Sequence, residues 1–432
     1  MNRQRCVLFL LLMLLTGSAS ASDRPNVVLI IADYMGYADT EPFGAHDILT
    51  PSISRLASEG VRFTDFYAAA PVCGPARAAL YTGKYPASIG FEQNIRTVDD
   101  GLDASLPTLP RWLNDAGYRT ALFGKWHLGY GQAHSPASHG FETFLGHLHW
   151  TISYYSHVND RGEPGLYDNN GLVDRDGYLT DILSDEAVAF IARDDGRPFF
   201  ITLAYNAALP PYQPPGLPES RWDEGWNVNE AARADVVQMV ERMDEGVGRV
   251  LDALDEAGQA DNTIVIYTHD HGGRHLVNHG PLFHGFANLF EGGIRIPAIV
   301  RFPDRLYAGR TESMPGIAMD LTATILGVAG LGEIAESLDG IDLSPVLREG
   351  AERKRRQFFW QADLYDFGKQ RAIRDGHLKY IEHGNTQFLF DLREDIGERR
   401  NLFLEEPALA ARLRARLMEW QRSHEGIHGD QP

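Results

Sequence analysis

A cysteine and an arginine four residues apart could form a nucleophilic centre. They are the first and last residues of the segment Cys73–Arg77, whose sequence is CGPAR. Pro75 suits the first turn of a helix and Gly83 suits its end, so the pattern predicts a helix with Cys73 at its N-terminus. The helix dipole favours an anion there, and Arg77 lies one turn further along the same face. A nucleophile beside a fixed cation suits attack on an anionic ester, although so short a motif also arises by chance.

Two acids and a histidine follow apolar segments and could bind a divalent cation. Asp33 follows the apolar run 27–32, and Asp270 and His271 lie just after the run 263–268. Because ligands bind beyond the carboxyl ends of the strands in an open α/β sheet, these side chains can converge. Carboxylates and an imidazole can hold a metal ion, and an oxygen-rich site suits Ca²⁺. Each acid taken singly could equally be a helix cap or a surface carboxylate.

A loop flanked by glycines, Gly124–Gly129, carries Lys125 and His127. Two cationic or titratable groups two residues apart indicate a loop that faces an anion. His127 could act there as a general base near neutral pH. The alternative is a histidine whose hydrogen bonds are satisfied within an ordinary loop.

The elements that must position these groups alternate between strands and helices. Continuous apolar runs are typical of strands buried on both faces, and they occur at 27–32, 198–205 and 263–268. Helical patterns are interspersed with them, at 51–60, 108–117 and 231–257. This alternation predicts an α/β fold with a doubly wound, mixed but mainly parallel sheet flanked by helices.

Short strand-like segments and a last helix predict a smaller C-terminal α+β subdomain. The segments lie at 358–360, 379–381 and 388–391, and the helix fits 407–423. The charged run 352–356 indicates a solvated boundary. We therefore divide the chain into a signal peptide (1–21), a catalytic α/β domain (22–350) and a C-terminal sheet-plus-helix subdomain (351–432).

The first 21 residues have the pattern of a secretory signal peptide cut before Ser22. Two arginines precede the apolar run 6–15, and Ala19-Ser20-Ala21 fits the cleavage rule. The apolar run is too short to span a bilayer, so we expect no membrane association and a periplasmic or secreted protein. The net charge of −19 makes the chain a poor candidate for nucleic-acid binding. Cleavage would leave Cys73 as the only cysteine, either a small buried hydrophobe or a thiol kept for chemistry.

Taken in order, these motifs resemble the type I sulfatases of the alkaline phosphatase superfamily. The resemblance runs from about Arg24 to Trp420, on the stretches 24–30, 73–86, 117–129, 291–297, 389–392 and 401–402. It implies hydrolysis of a sulfate ester carried by a small molecule or a glycan. The motif cysteine of that family is oxidised to formylglycine by a formylglycine-generating maturase, so Cys73 would become the nucleophile.

The resemblance also implies roles for the remaining site residues. Arg77 and Lys125 would stabilise the hydrated aldehyde and the sulfate, and His127 would deprotonate the second hydroxyl. One Ca²⁺ would be bound by Asp33, Asp270, His271 and residue 73.

Several positions depart from the family's usual residues. Tyr34 stands in place of a second metal-binding aspartate, and His271 in place of the commoner asparagine. Leu209 replaces a histidine that assists the leaving group, and Phe286 replaces a sulfate-binding lysine. We expect His284, two residues from Phe286, to be the first candidate for the missing substrate-binding group. Further candidates are His147, His149 and His157.

Three functions remain open from the sequence. We favour an active but divergent sulfatase, because the cysteine motif, Lys125 and His127 are retained together. The alternatives are a non-catalytic, sulfatase-like binding protein and a phosphodiester or phosphonate ester hydrolase of the same superfamily. The aromatic segment 146–150 could stack on a sugar or aryl ring, or could pack as an ordinary loop.

Overall fold

The structure is a computed structural model that describes residues 24–424, apart from residues 96, 98, 99, 194, 222, 304, 307, 349–354 and 365. The predicted signal peptide and most of the charged boundary segment lie outside the described residues. The described strands are β1 (Asn26–Ala32), β2 (Val61–Phe63), β3 (Phe66–Tyr67), β4 (Arg119–Lys125), β5 (Thr143–His147), β6 (Tyr167–Asp168), β7 (Gly171–Leu172), β8 (Phe199–Ala204), β9 (Thr263–His269), β10 (Ala298–Arg301), β11 (Arg310–Glu312), β12 (Gly316–Ile317), β13 (Gln357–Leu364), β14 (Gly368–Asp375), β15 (Leu378–His383) and β16 (Thr386–Asp391).

The described helices include the three that the sequence predicts between strands and the one that begins at the cysteine motif. They are α1 (Pro51–Glu59), α2 (Cys73–Thr82), α3 (Leu109–Asp115), α4 (Leu179–Ala192), α5 (Arg233–Glu256), α6 (Glu291–Ile294), α7 (Ala318–Val328), α8 (Gly332–Ala335), α9 (Ser344–Leu347) and α10 (Pro407–His424). No helix among the described residues is long and apolar enough to cross a membrane.

One large sheet forms the centre of the fold, with the strand order β11-β2-β10-β9-β1-β8-β4-β5-β6-β7. Strands β9, β1, β8, β4 and β5 are parallel to one another, whereas β10 runs antiparallel to β9. The predicted mixed, mainly parallel sheet is therefore confirmed. Its three apolar runs are adjacent strands, with β1 between β9 and β8.

Helices cover both faces of this sheet, as a doubly wound fold requires. Successive residues of β1 alternate between two cores because side chains along a strand point to opposite faces. Val28 and Ile30 pack in the same core as apolar residues of α1, α4 and α5. Val27 and Leu29 pack in a second core with α2, α3 and α7. Burial on both faces explains why the strand sequences are continuously apolar.

The C-terminal part forms the predicted small sheet and helix. Strands β13 to β16 make a four-stranded antiparallel sheet, and apolar residues of α10 pack in one core with them. That core also contains Tyr67 and Leu289 from the large domain. The small sheet is therefore joined to the large one through a shared apolar interior.

A buried ion cluster lies within this junction. Lys379 of β15 lies 2.7 Å from Glu291 of α6 and 3.0 Å from Glu398, and all three side chains are fully buried. Burial by itself would raise the pKa of Glu291, but Lys379 and Arg295 hold that pKa below its ordinary value. Lys379 is thus the cation shared by two buried carboxylates, and Arg295 adds a second positive charge beside Glu291 at 3.0 Å.

We predict that Lys379→Met lowers the free energy of unfolding by about 3–5 kcal/mol, because it leaves two carboxylates buried without their shared cation. Urea denaturation followed by circular dichroism measures the loss. Lys369→Met is the matched control: Lys369 pairs with Asp363 at 3.2 Å, but their side chains are 71% and 45% exposed. An exposed pair of this kind contributes about 0–1 kcal/mol. Equal losses in the two variants would contradict the assigned role of Lys379.

Candidate active site

The ends of neighbouring strands bring the predicted site residues together. Ala32 is paired with His269 in the parallel ladder of β1 and β9, so Asp33 and Asp270 emerge side by side. The backbone N–H of Asp270 donates to the carbonyl oxygen of Ala32 at 3.2 Å. Lys125 is the last residue of β4, at the same edge of the sheet. The convergence predicted for the carboxyl ends of the strands is therefore observed.

Helix α2 delivers the cysteine to this edge. Cys73 is its first residue, and the Sγ atom lies 3.0 Å from Nε2 of His271. The backbone N–H of Gly74 donates to Oδ1 of Asn94 at 2.8 Å, which fixes the start of the helix from outside. Asn94 is a residue that the sequence analysis missed, because nothing in its local sequence distinguishes it from other loop asparagines.

Two cationic side chains, Arg77 and Lys125, contact the carboxylates at this edge. Arg77 Nη2 lies 3.0 Å from Oδ2 of Asp33 and 3.0 Å from Oδ2 of Asp270. Lys125 Nζ donates to the same Oδ2 atom of Asp33, and Arg77 Nη1 donates to the carbonyl oxygen of Lys125 at 2.9 Å. All four side chains are buried. The arrangement is a compact network in which every charge has an opposite charge beside it.

This network shifts the pKa values of its members. Burial opposes the charged form of His271, yet Asp270 and Cys73 raise the pKa of His271 to about 10. Burial would raise the pKa of Asp270, but His271 and Arg77 lower it. A cation that binds these groups must therefore displace a proton from His271, since metal ions bind the neutral imidazole.

The chemistry of the donor set fits a divalent cation. One ligand atom each from Asp33, Cys73, Asp270 and His271 lies within 4.8 Å of the others. Among the described residues, Oδ1 of Asp33 has no hydrogen-bond partner although Asp33 is fully buried. A buried carboxylate oxygen without a partner is costly, and a cation would satisfy it. These residues therefore fit a divalent cation.

His127 lies near the network as a neutral imidazole. Its backbone has a φ of 55°, a left-handed conformation that a non-glycine residue adopts at a cost. Burial first, then Lys125 and Arg77, lower the pKa of His127 well below its ordinary value. Within the described part of the chain, its Nδ1 atom has no hydrogen-bond partner. A buried neutral histidine with a free nitrogen is able to accept a proton.

A cavity of about 410 Å³ opens onto Cys73 and His127. The other described residues that line it are mostly apolar or aromatic: Tyr34, Asn94, Ile95, Tyr130, Trp150, Leu209, Pro210, Val228, His275 and Phe286. The cavity thus includes three positions where the sequence departs from the usual residues of the family that it resembles, Tyr34, Leu209 and Phe286. No lysine, arginine, aspartate or glutamate is among these lining residues.

The histidines predicted to replace the missing polar groups lie in different surroundings. His284 does not line the cavity; its ring packs 4.2 Å from that of Phe283 and 4.9 Å from that of Phe290. His147 is buried beside Lys125, its register partner across β4 and β5. His149 stacks on Tyr130 at 4.9 Å. A substrate-binding role for His284 stays a prediction.

Two lining residues are held in place from outside the cavity. Trp150 donates from Nε1 to Oδ2 of Asp160 at 3.1 Å, and Tyr130 is backed by His149. Trp150 belongs to the aromatic segment for which the sequence left stacking and loop packing open. His275 was not singled out by the sequence analysis, because it lies in an irregular loop without periodicity.

Two family models match the chain. The family model Sulfatase matches residues 25–331, and the model N-sulphoglucosamine sulphohydrolase, C-terminal, matches residues 283–423. The second match spans the predicted domain boundary at residue 350. Together the two models cover almost all the described chain.

Individual relatives are 30–32% identical to the chain over the aligned residues. N-acetylgalactosamine-6-sulfatase of Canis lupus familiaris is 32% identical over 381 residues, which cover 80% of this chain and 70% of the relative. Arylsulfatase A of Bos taurus is 30% identical, with coverage of 91% and 86%. The crystal structure of Ps i-CgsB is 31% identical, with a TM-score of 0.84 and 94% of each chain covered. The complex of Ps i-CgsB with k-i-k-neocarrahexaose has a TM-score of 0.83.

We predict that His127 of the metal-free protein stays neutral as the pH falls through 6.5. Because burial and the positive charges of Lys125 and Arg77 lower the pKa of His127, its imidazole takes up a proton only at a more acidic pH. NMR of protein carrying ¹⁵N-labelled histidine measures this, with His127→Ala to assign the resonance. Lys125→Met removes one repelling cation and should move the midpoint upward. A midpoint near 6.5 in the unsubstituted protein would contradict the prediction.

Proposed function

The chain belongs to the sulfatase family and is a sulfuric ester hydrolase, and we propose that its nucleophile is a formylglycine made from Cys73. The observation that carries this proposal is the position of Cys73. It begins α2, faces His271 at 3.0 Å and opens onto a cavity large enough for a small ester. The structure contains the cysteine, whose Sγ atom stands where the oxygens of the modified residue would lie.

The modified residue would supply covalent chemistry. Hydrated formylglycine would offer two hydroxyls. One would attack the sulfur, lose its proton and displace the alcohol, which takes up a proton; deprotonation of the other would then re-form the aldehyde and break its C–O bond to sulfate. His127 is the base we propose for that deprotonation, because it is neutral and opens onto the same cavity as Cys73. Splitting one difficult displacement into two steps lowers each barrier.

Arg77 and Lys125 provide the positive charge near the reacting sulfate. Both are buried and paired with Asp33, and Arg77 also pairs with Asp270, so their positions are set before a substrate arrives. Fixed charges in a site without water stabilise developing negative charge without reorganisation. We propose that they bind the sulfate oxygens and the hydrated aldehyde.

We propose that a divalent cation is bound by Asp33, Asp270, His271 and residue 73. When bound, it would polarise the sulfate and the attacking oxygen. The family resemblance predicts Ca²⁺ for this position. The support for a cation is the donor cluster and the unpartnered Oδ1 atom of Asp33.

The residues that line the cavity indicate which class of alcohol forms the sulfate ester of the substrate. A second sulfate or a carboxylate on the substrate would enter a cavity whose described lining has no lysine or arginine. An anion desolvated without a counter-charge is strongly disfavoured. Trp150 and Tyr130 are held by neighbours and offer flat faces to a ring. We propose a ring-bearing substrate, aryl or sugar, with one sulfate and no other charge.

We also propose that the chain is exported to the periplasm or the medium, on the evidence of the sequence pattern in residues 1–21. A formylglycine-generating maturase is then a required partner. It would act on Cys73 before α2 forms, since the folded protein buries this side chain.

We predict that Cys73 is converted when the chain is produced with a formylglycine-generating enzyme. Mass spectrometry of the tryptic peptide 63–77 should show the aldehyde in place of the thiol. The converted protein should hydrolyse an aryl sulfate faster than an aryl phosphate diester, and Cys73→Ala should hydrolyse neither. An intact thiol, beside a control sulfatase converted in the same cells, would favour the non-catalytic alternative; faster diester hydrolysis would favour the phosphodiesterase alternative.

We predict that the protein prefers catechol monosulfate to catechol disulfate, because the second sulfate finds no cation in the cavity. Phe286→Lys should shift the ratio of the two kcat/KM values toward the disulfate by about tenfold or more, as expected for a hydrogen bond to a charged group. Phe286→Leu is the matched control and should keep the original preference. Equal hydrolysis of both esters by the unsubstituted protein would overturn the proposed specificity.

A further inference from the structure

The cation site has an unusual balance of donors for a hard metal ion. Its four members are two carboxylates, one imidazole and residue 73. Which ion such a set binds best depends on how many oxygens it offers and on whether the ion accepts nitrogen.

Each carboxylate can give only one oxygen to a cation. Oδ2 of Asp33 is engaged by Arg77 and Lys125, and Oδ2 of Asp270 is engaged by Arg77. This leaves Oδ1 of Asp33, which has no hydrogen-bond partner in the described part of the chain, and Oδ1 of Asp270, which accepts the N–H of His271 at 2.9 Å. Bidentate binding by either carboxylate would place the metal ion beside the positive charge of Arg77.

The imidazole of His271 is oriented as a ligand. Its Nδ1 atom lies 3.0 Å from the carbonyl oxygen of Gly272, so Nδ1 carries a proton and Nε2 points toward the cluster. Nε2 lies 3.6 Å from Oδ1 of Asp270 and 4.0 Å from Oδ1 of Asp33. A hydrogen bond of this kind fixes the ring and its tautomer for metal binding.

Aromatic rings occupy the space beside this imidazole. The ring of Phe286 lies 5.2 Å from that of His271, and the ring of Tyr34 lies edge-on at 6.3 Å. Tyr34 and Phe286 also pack on each other at 5.2 Å. These side chains bring no carboxylate or amide oxygen to the cluster, so the protein offers few oxygens.

We propose that this site selects a divalent transition ion that accepts imidazole nitrogen, Mn²⁺ or Zn²⁺, over Ca²⁺. Ca²⁺ takes six to eight oxygen ligands, whereas Zn²⁺ is bound by imidazole and carboxylate in four-coordinate sites; Mn²⁺ takes carboxylate oxygens and, as a transition ion, also accepts an imidazole nitrogen. The inference depends on the cation site of the proposed function and replaces Ca²⁺ as its occupant.

The test is a competition that needs no substrate. Protein stripped with a chelator is dialysed against equal concentrations of Ca²⁺ and Mn²⁺, and separately of Ca²⁺ and Zn²⁺, and bound metal is counted by mass spectrometry. We expect one equivalent of Mn²⁺ or Zn²⁺ and little Ca²⁺, with a matching rise in Tm for the preferred ion only. One equivalent of Ca²⁺, or no bound ion at all, overturns the proposal.

Two variants with the same chemical change make the assignment specific. His271→Asn replaces the nitrogen ligand by an amide oxygen and should weaken Mn²⁺ binding by about 10–100-fold, moving the preference toward Ca²⁺. His269→Asn is the matched control: His269 is equally buried but hydrogen-bonds to the hydroxyl of Tyr267 at 2.9 Å. It should leave the preference unchanged.

A spectroscopic measurement distinguishes a failure of the metal assignment from a failure of the proposed catalytic mechanism. Pulsed EPR of bound Mn²⁺ should show coupling to an imidazole ¹⁴N that disappears in His271→Asn. The measurement is made on both the unmodified and the formylglycine forms. Loss of sulfate-ester hydrolysis with normal Mn²⁺ coupling would count against the proposed mechanism alone, whereas hydrolysis with Ca²⁺ bound and no coupling would count against the metal assignment alone.

Discussion

Mutual compensation of four buried charges is the constraint on which the site depends. Asp33, Asp270, Arg77 and Lys125 are all withdrawn from water, and removing any one would leave an uncompensated charge inside the protein. The ends of three strands and the helix α2 therefore meet at one point, and the charges are compensated only when they do. Correct folding and assembly of the site are in this sense a single event.

The same network sets what the site can bind. Arg77 and Lys125 donate to Oδ2 of Asp33, and Arg77 donates to Oδ2 of Asp270. Only the two Oδ1 atoms and the imidazole of His271 therefore remain for a metal ion. The two carboxylates in turn hold Arg77 and Lys125 in position without any contribution from a substrate. A sulfate bound as we propose would meet charges already oriented, which is the condition for electrostatic stabilisation of a transition state.

The described lining of the cavity combines mostly apolar walls with Cys73 and His127, and the buried charged network lies outside that lining. Tyr34, Leu209 and Phe286 lie on its lining, where polar groups would otherwise contact the sulfate or its alcohol. The family relationship establishes sulfate-ester hydrolysis, but the walls distinguish this chain within the family. Fold and reaction are thus shared with its relatives, whereas we propose that a few side chains of the cavity lining set the specificity.

The sequence by itself determined the strands β1, β8 and β9, the helix that starts at Cys73, and the residues that would carry chemistry. These are local features: a buried strand is apolar throughout, and a helix begins and ends at residues with special backbone preferences. Only the tertiary structure decided that Asn94 fixes the start of α2, that Trp150 and His275 line the cavity, and that His284 does not. Those residues lie in loops, which have no periodicity to read, and their neighbours come from distant parts of the chain. Distances between such residues depend on how the strands are ordered, and that order follows from long-range packing.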